Sequence, residues 1–289
     1  MAAFAAIILF ILGSIPLEAQ PQLVEAQRFT RVGDVSRIHG LRASRIYFVS
    51  SGTNERGWYD RTSEAVYRTG GAGWGLEALD APTAVWSDGL SVFIADRNNR
   101  RIVRYDNELR VISDFATEDT SYIQARFGYP VGVAVNGRGD MGVLDEDSQE
   151  LVVFDRRGGF SFRIGRDARS GLTFSEPVDL ATDRAGSWFV LDRLHFSEID
   201  AFGTVITREE HGSDTPRAVD ASDDWVVVAS ASELIFHARD HRAHHTFPVR
   251  MFSLESPGAE IGDVLLQGRN IMIVLDGVPV EYELSGFER

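Results

Sequence analysis

The chain has 289 residues and carries 29 basic against 43 acidic side chains, a formal net charge of −14. That balance argues against nucleic acid as a partner, because phosphate binding needs a concentrated positive field. Hydrophobic residues at 44% and charged residues at 25% describe a folded chain with a large core. The absence of cysteine excludes disulfide staples, thiolate metal sites, cysteine nucleophiles and lipid attachment through an N-terminal cysteine.

From the N-terminus, residues 2–17 form an apolar run interrupted only by Gly13, Ser14 and Pro16, and Leu17-Glu18-Ala19-Gln20 follows with small or tolerated residues at a cleavage position after Ala19. The pattern predicts a signal peptide over residues 1–19 and an exported protein that is periplasmic, extracellular or envelope-associated. The run is short for a membrane span of about 20 residues. No Lys or Arg precedes it, so the alternatives are a misassigned start codon or an uncleaved anchor, the latter being the only route to a membrane. Next, Gln27–Val32 alternates polar and apolar residues and belongs to no repeat.

From there the chain repeats itself. Short apolar runs ending in a small or acidic residue recur at Ile46–Ser50, Val92–Asp96, Gly142–Asp145, Trp188–Asp192, Val226–Ser230 and Met272–Asp276, with ends spaced by 46, 49, 47, 38 and 46 residues. Another apolar strand lies ahead of each, and in four units a proline opens it: Pro82, Pro130, Pro177 and Pro216. Proline is tolerated at the first residue of a strand, where no ladder donor is needed. A third strand follows, as in Arg101–Asp106 and Leu151–Asp155, and then a more polar fourth after a turn, as in Arg110–Phe115 and Phe160–Ile164. Four short antiparallel strands per unit with turn signals between them specify a propeller blade, and six units specify an all-β, six-bladed ring. The sixth unit lacks an outer strand. Gln27–Val32, paired with the third strand of that unit, is expected to supply it and close the ring, giving one propeller domain over residues 27–289.

The second unit reads Ala81-Pro82-Thr83-Ala84-Val85, then Ile94-Ala95-Asp96-Arg97-Asn98-Asn99-Arg100-Arg101-Ile102-Val103-Arg104-Tyr105-Asp106, and in this it resembles an NHL repeat. The third unit keeps Pro130, Asp145, Val152, Phe154 and Asp155, with Gln149-Glu150 in place of Asn and Arg. The fourth keeps Pro177, Asp192 and Ile199-Asp200, and the others match in hydrophobic outline alone. The resemblance implies either a binding propeller or an enzyme of the lactonase or lyase kind, with a metal in the channel held by acidic and amide side chains or by histidine.

A propeller binds ligands at the mouth of its channel. Aligned on their strand ends, the inner strands place Arg37, Ala84, Gly132, Asp179, Ala218 and Asp263 at one equivalent position. In a ring of six, Arg37 then faces Asp179 and neighbours Asp263. Two acids without His or Asn are few for a calcium site that takes six or more oxygens, so an ion pair is the expected arrangement and no cofactor is expected, calcium being the one candidate. His237, His241, His244 and His245 cluster at a hairpin of the fifth unit, where a transition metal is conceivable. Arg239 and Arg242 add like charge there, and the rim is expected to be solvated. His39, His195 and His211 stand apart. Asp96, Asp145, Asp192 and Asp276, spread around the ring by symmetry, are expected to cap turns. Gly70–Gly75 lacks the following Lys and Ser/Thr of a phosphate loop and reads as a turn between two outer strands. The expected role is therefore an exported, non-enzymatic binding or scaffold propeller with a protein or cell-envelope partner. A divalent-metal hydrolase or lactonase using the channel is the alternative.

Overall fold

The computed structural model of the chain describes residues 21–40, 45–166, 172–251 and 258–287, so the signal peptide expected over 1–19 lies outside the described residues. Runs rich in Val, Ile, Phe and Tyr with turn residues between them fold as strands, and these form six separate four-stranded antiparallel sheets. Blade 1 holds β2 (Arg37–Gly40), β3 (Arg45–Ser50), β4 (Glu55–Asp60) and β5 (Val66–Gly70). Blade 2 holds β6 (Pro82–Ser87), β7 (Ser91–Asp96), β8 (Arg101–Asp106) and β9 (Val111–Phe115). Blade 3 holds β10 (Pro130–Val135), β11 (Met141–Asp145), β12 (Glu150–Phe154) and β13 (Phe160–Ile164). Blade 4 holds β14 (Asp179–Thr182), β15 (Trp188–Leu191), β16 (His195–Ile199) and β17 (Val205–Glu210). Blade 5 holds β18 (Pro216–Ala221), β19 (Trp225–Ser230), β20 (Glu233–Ala238) and β21 (His244–Pro248). Blade 6 holds β22 (Ile261–Gln267), β23 (Asn270–Leu275) and β24 (Val278–Ser285). Among the described residues no helix is long and apolar enough to cross a membrane.

Each blade is covered on both faces by its neighbours, so its second strand is apolar on both sides: β15 and β23 are buried at every position. The hydrophobic clusters accordingly run between blades. One joins Ala134, Leu144 and Val153 of blade 3 to Leu180, Trp188 and Val190 of blade 4. Gly142 makes that contact possible, since a Cβ there would stand 2.6 Å from the Trp188 ring.

The ring closes through the N-terminal segment, but with a different strand from the one expected. The outer strand of blade 6 is β1 (Gln22–Arg28), which pairs antiparallel with β24 from Gln22↔Ser285 to Arg28↔Val280. It thus begins ahead of residue 27, and Thr30–Val32 forms a 3-10 turn. Phe29 and Val32, both buried, are three residues apart, a spacing that suits a 3-10 turn and not the period of a strand. The turn carries the chain from the outer edge of blade 6 towards the inner strand of blade 1, with the Phe29 N–H donating to the Pro279 carbonyl at 2.9 Å and the Val35 N–H to that of Gly277 at 2.9 Å.

Two other expectations need correction. Pro82, Pro130 and Pro216 do open inner strands, each followed by a register shift, but Pro177 lies two residues ahead of the short strand β14. Gly70–Gly75 does not join two outer strands. It begins the connection from the outer strand of blade 1 to the inner strand of blade 2, and this connection wraps the buried Arg101, whose guanidinium donates to the carbonyls of Trp74, Gly75 and Ala78.

Candidate functional site in the central channel

An inner strand has a ladder partner on one side only, and its free edge faces the channel with N–H and C=O groups that need partners. The register places Arg37 opposite Val49, Ala84 opposite Ala95, Gly132 opposite Leu144, Asp179 opposite Leu191, Ala218 opposite Ala229 and Asp263 opposite Val274. In five blades the partner immediately precedes the end residue of its run, and in the sixth Val274 stands two residues ahead of Asp276; Asp263, like Ala84, Gly132 and Ala218, is the first paired residue after a register shift, so the six positions correspond. The Arg37 Nη1 lies 3.2 Å from Asp263 Oδ1 and 3.7 Å from Asp179 Oδ2, so the guanidinium occupies the place between the two carboxylates.

These side chains also stitch the inner strands to one another. Asp263 Oδ2 accepts the Ile38 N–H of blade 1 at 2.6 Å, and Arg37 Nε donates to the Thr83 carbonyl of blade 2 at 3.1 Å. Asp179 Oδ2 accepts the Val219 N–H of blade 5 at 2.9 Å, and Thr83 Oγ1 donates to the Pro130 carbonyl of blade 3 at 2.9 Å. Between blades 3 and 4 the approach is backbone against side chain, because a Cβ at Gly132 would stand 2.8 Å from Leu180 Cβ.

The structure adds residues the sequence reading left apart. Side chains alternate along a strand, so two residues beyond each equivalent position comes a second tier, including His39, Trp86 and Asp220. All three line the same small cavity, about 40 Å³, as Arg37, Asp179 and Asp263, which is room for a few water-sized molecules. Period-2 counting along the inner strands was the signal that could have found them. Asp220 Oδ2 accepts the Leu266 N–H of blade 6 at 2.6 Å, and His39 Nδ1 accepts the Ser87 N–H of blade 2 at 3.0 Å.

Burial governs the electrostatics here. It pushes Asp220 up to about 7 against the N–H groups of Leu266 and Ala221, with Asp263 and Asp179 adding to the rise. Asp263 is likewise pushed up to about 7 by burial, which Arg37 opposes, and Asp179 is raised for the same reason. Burial also works against the Arg37 charge, but Asp179 and Asp263 outweigh it and hold its pKa above the ordinary value. His39 is lowered to about 4 by burial and is neutral. The channel therefore presents one fixed cation, three carboxyls of which Asp220 and Asp263 are partly protonated near neutrality, and an imidazole that serves as an acceptor.

The repeated strand-end aspartates reach backwards as well as forwards. Asp96, Asp145, Asp192 and Asp276 accept the N–H groups of Asp80, Tyr129, Ser175 and Glu260 at 2.7, 2.6, 3.4 and 2.8 Å, each pinning the connection that enters its own blade. Asp145 and Asp192 also cap the turn that follows, through Ser148 and through Leu194 and His195. The four clustered histidines lie at the outer rim and are divided by the pleat. His241 and His244 are exposed. His237 packs against Phe196 at 4.8 Å and His245 against Trp225 at 5.6 Å, so the rim is less solvated than expected, because both rings cover apolar surface.

No protein-family profile matches the chain, and no curated protein matches it. Solved structures do. A streptogramin B lyase is 9% identical, covering 92% of this chain and 98% of its own, with a TM-score of 0.61. A chain of Kuenenia stuttgartiensis hydrazine synthase is 13% identical, covering 87% and 77%, with a TM-score of 0.63. A chain of a nidogen/laminin complex is 13% identical, covering 74% and 80%, with a TM-score of 0.57. Identities this low show the six-bladed fold alone, and that fold serves both enzymes and binding domains.

Proposed function

We propose that this chain is an exported, non-enzymatic NHL-like propeller that binds or scaffolds a protein or cell-envelope partner through one of its broad faces. The observation that carries the reading is the occupied channel: the Arg37 guanidinium lies between Asp179 and Asp263, both carboxylates also accept backbone N–H groups of the next blade, and the cavity beside them is about 40 Å³. The face offers more to a partner. Trp74 is 86% exposed and Leu76, Tyr122 and Ile123 are also exposed, and all four sit on connections from an outer strand to the next inner strand, hence on one face of the ring. Exposed aromatic and aliphatic side chains on loops suit a protein interface.

A divalent-metal hydrolase is the second reading, favoured by the convergence of Asp179, Asp220 and Asp263 on one cavity with a single arginine. A calcium titration followed by melting temperature separates the two, since an ion that binds only the folded state must raise its stability. The binding reading expects no calcium-dependent rise in the parent, and a loss of stability in Asp179→Asn that is the same with and without calcium. A rise of several degrees in the parent that vanishes in Asp179→Asn would replace it with the hydrolase reading.

A further inference from the structure

The pleat sorts the histidines of blade 5 into two groups. In the antiparallel ladder His237 on β20 stands directly opposite His244 on β21, while His245 is paired with Phe236 one position along. Successive residues alternate between faces, so His237 and His244 share one face and His245 lies on the other, against Trp225 and Phe287 at 5.6 and 5.8 Å. Directly opposed residues hold their Cβ atoms about 4.5–5.5 Å apart, a separation from which two imidazoles can turn onto one ion.

The shared face borders a groove of about 660 Å³ between blades 4 and 5. Across it β17 presents Glu209, whose Oε1 meets His241 Nδ1 at 2.5 Å and whose Oε2 lies 3.9 Å from His237 Nδ1. Glu210 and Glu233 also line the groove. The like charge that the sequence places here is neutralised. Arg239 turns away to Asp183, at 2.8 Å, and to Glu198, and Arg242 lies 3.8 Å from Asp240. The His237 Nε2 is buried without a hydrogen-bond partner.

We propose that His237, His244 and Glu209 form a rim site for a borderline transition-metal dication such as Zn²⁺ or Ni²⁺, independent of the central channel. Imidazole with one carboxylate is a donor set that suits these ions and not calcium or magnesium. Among the described residues no three such donors already stand at coordinating positions. The ion draws them together: His244 is exposed and free to turn, and Glu209 exchanges its contact with His241 for the metal. The β20–β21 ladder holds the histidine pair in register.

The test is a calorimetric titration of the full chain with zinc at pH 7.5 after chelator treatment, repeated on His237→Asn, His244→Gln and His245→Gln. The expected result is saturable binding of one ion per chain, weakened tenfold or more, about 1.4 kcal/mol, in His237→Asn and in His244→Gln. His245→Gln, on the other face of the same strands, should bind as the parent does. His244 is exposed, so His244→Gln reads the site even where His237→Asn disturbs packing, and melting without zinc checks both. Absence of saturable binding, or equal weakening in His244→Gln and His245→Gln, would overturn the assignment.

Discussion

Replacing Asp220 with Asn removes a buried charge while leaving an acceptor for the Leu266 N–H, and the consequence depends on pH. Burial raises the folded-state pKa of Asp220 from 3.8 to about 7. The folded protein therefore binds more protons than the unfolded chain between these values, and stability falls as pH rises through that window. Three pKa units at about 1.4 kcal/mol each amount to about 4 kcal/mol lost between pH 4 and pH 8 through this one group. Because the side chain is only half-buried and lines a cavity with room for water, that figure is an upper bound. The Asn variant should have a flatter profile and, at pH 8.5, be more stable than the parent by about 1–4 kcal/mol. It should also ease ionisation of Asp263, which Asp220 faces in the same cavity. Denaturant unfolding of both proteins at half-unit steps from pH 5 to 9 reads the difference. A variant that keeps the parent's slope, or is less stable at pH 8.5, would show that the channel carboxyl is solvated well enough to ionise without cost, and the argument from burial would fail.

Asp96→Ala removes the buried acceptor that holds the Asp80 N–H and Arg101 Nε; with the Arg101 charge left buried, a loss of about 3–5 kcal/mol is expected in chemical denaturation, and a loss below about 1 kcal/mol would refute it. Deleting residues 22–28 uncovers the edge of β24 and opens the ring, so the melting temperature should drop and the transition broaden; an unchanged calorimetric trace would refute closure as a source of stability.

The sequence by itself determined the architecture. Prolines near strand starts and aspartates at strand ends are local signals present in four units each, and the apolar runs, repeated six times, specify both the blade and the number of blades. The equivalence of Arg37, Ala84, Gly132, Asp179, Ala218 and Asp263 was legible for the same reason, since it needs only a common register. The closing strand was legible in existence but not in position: Gln22–Arg28 is exposed along nearly its whole length, and an outer strand without a buried face carries little hydrophobic pattern. Only the tertiary structure decided what shares the channel. His39, Trp86 and Asp220 come from three different blades, and the energy that brings them together is the packing of apolar faces elsewhere in the ring. It likewise decided the fate of the four histidines near 240, which are neighbours in the chain but are parted in the fold, three lining the groove with Glu209 of the preceding blade and one packed onto Trp225. Charge state followed from burial in the same way: a carboxyl in an inner strand is an ordinary acid in the sequence, and becomes one that titrates near neutrality when six blades close around it.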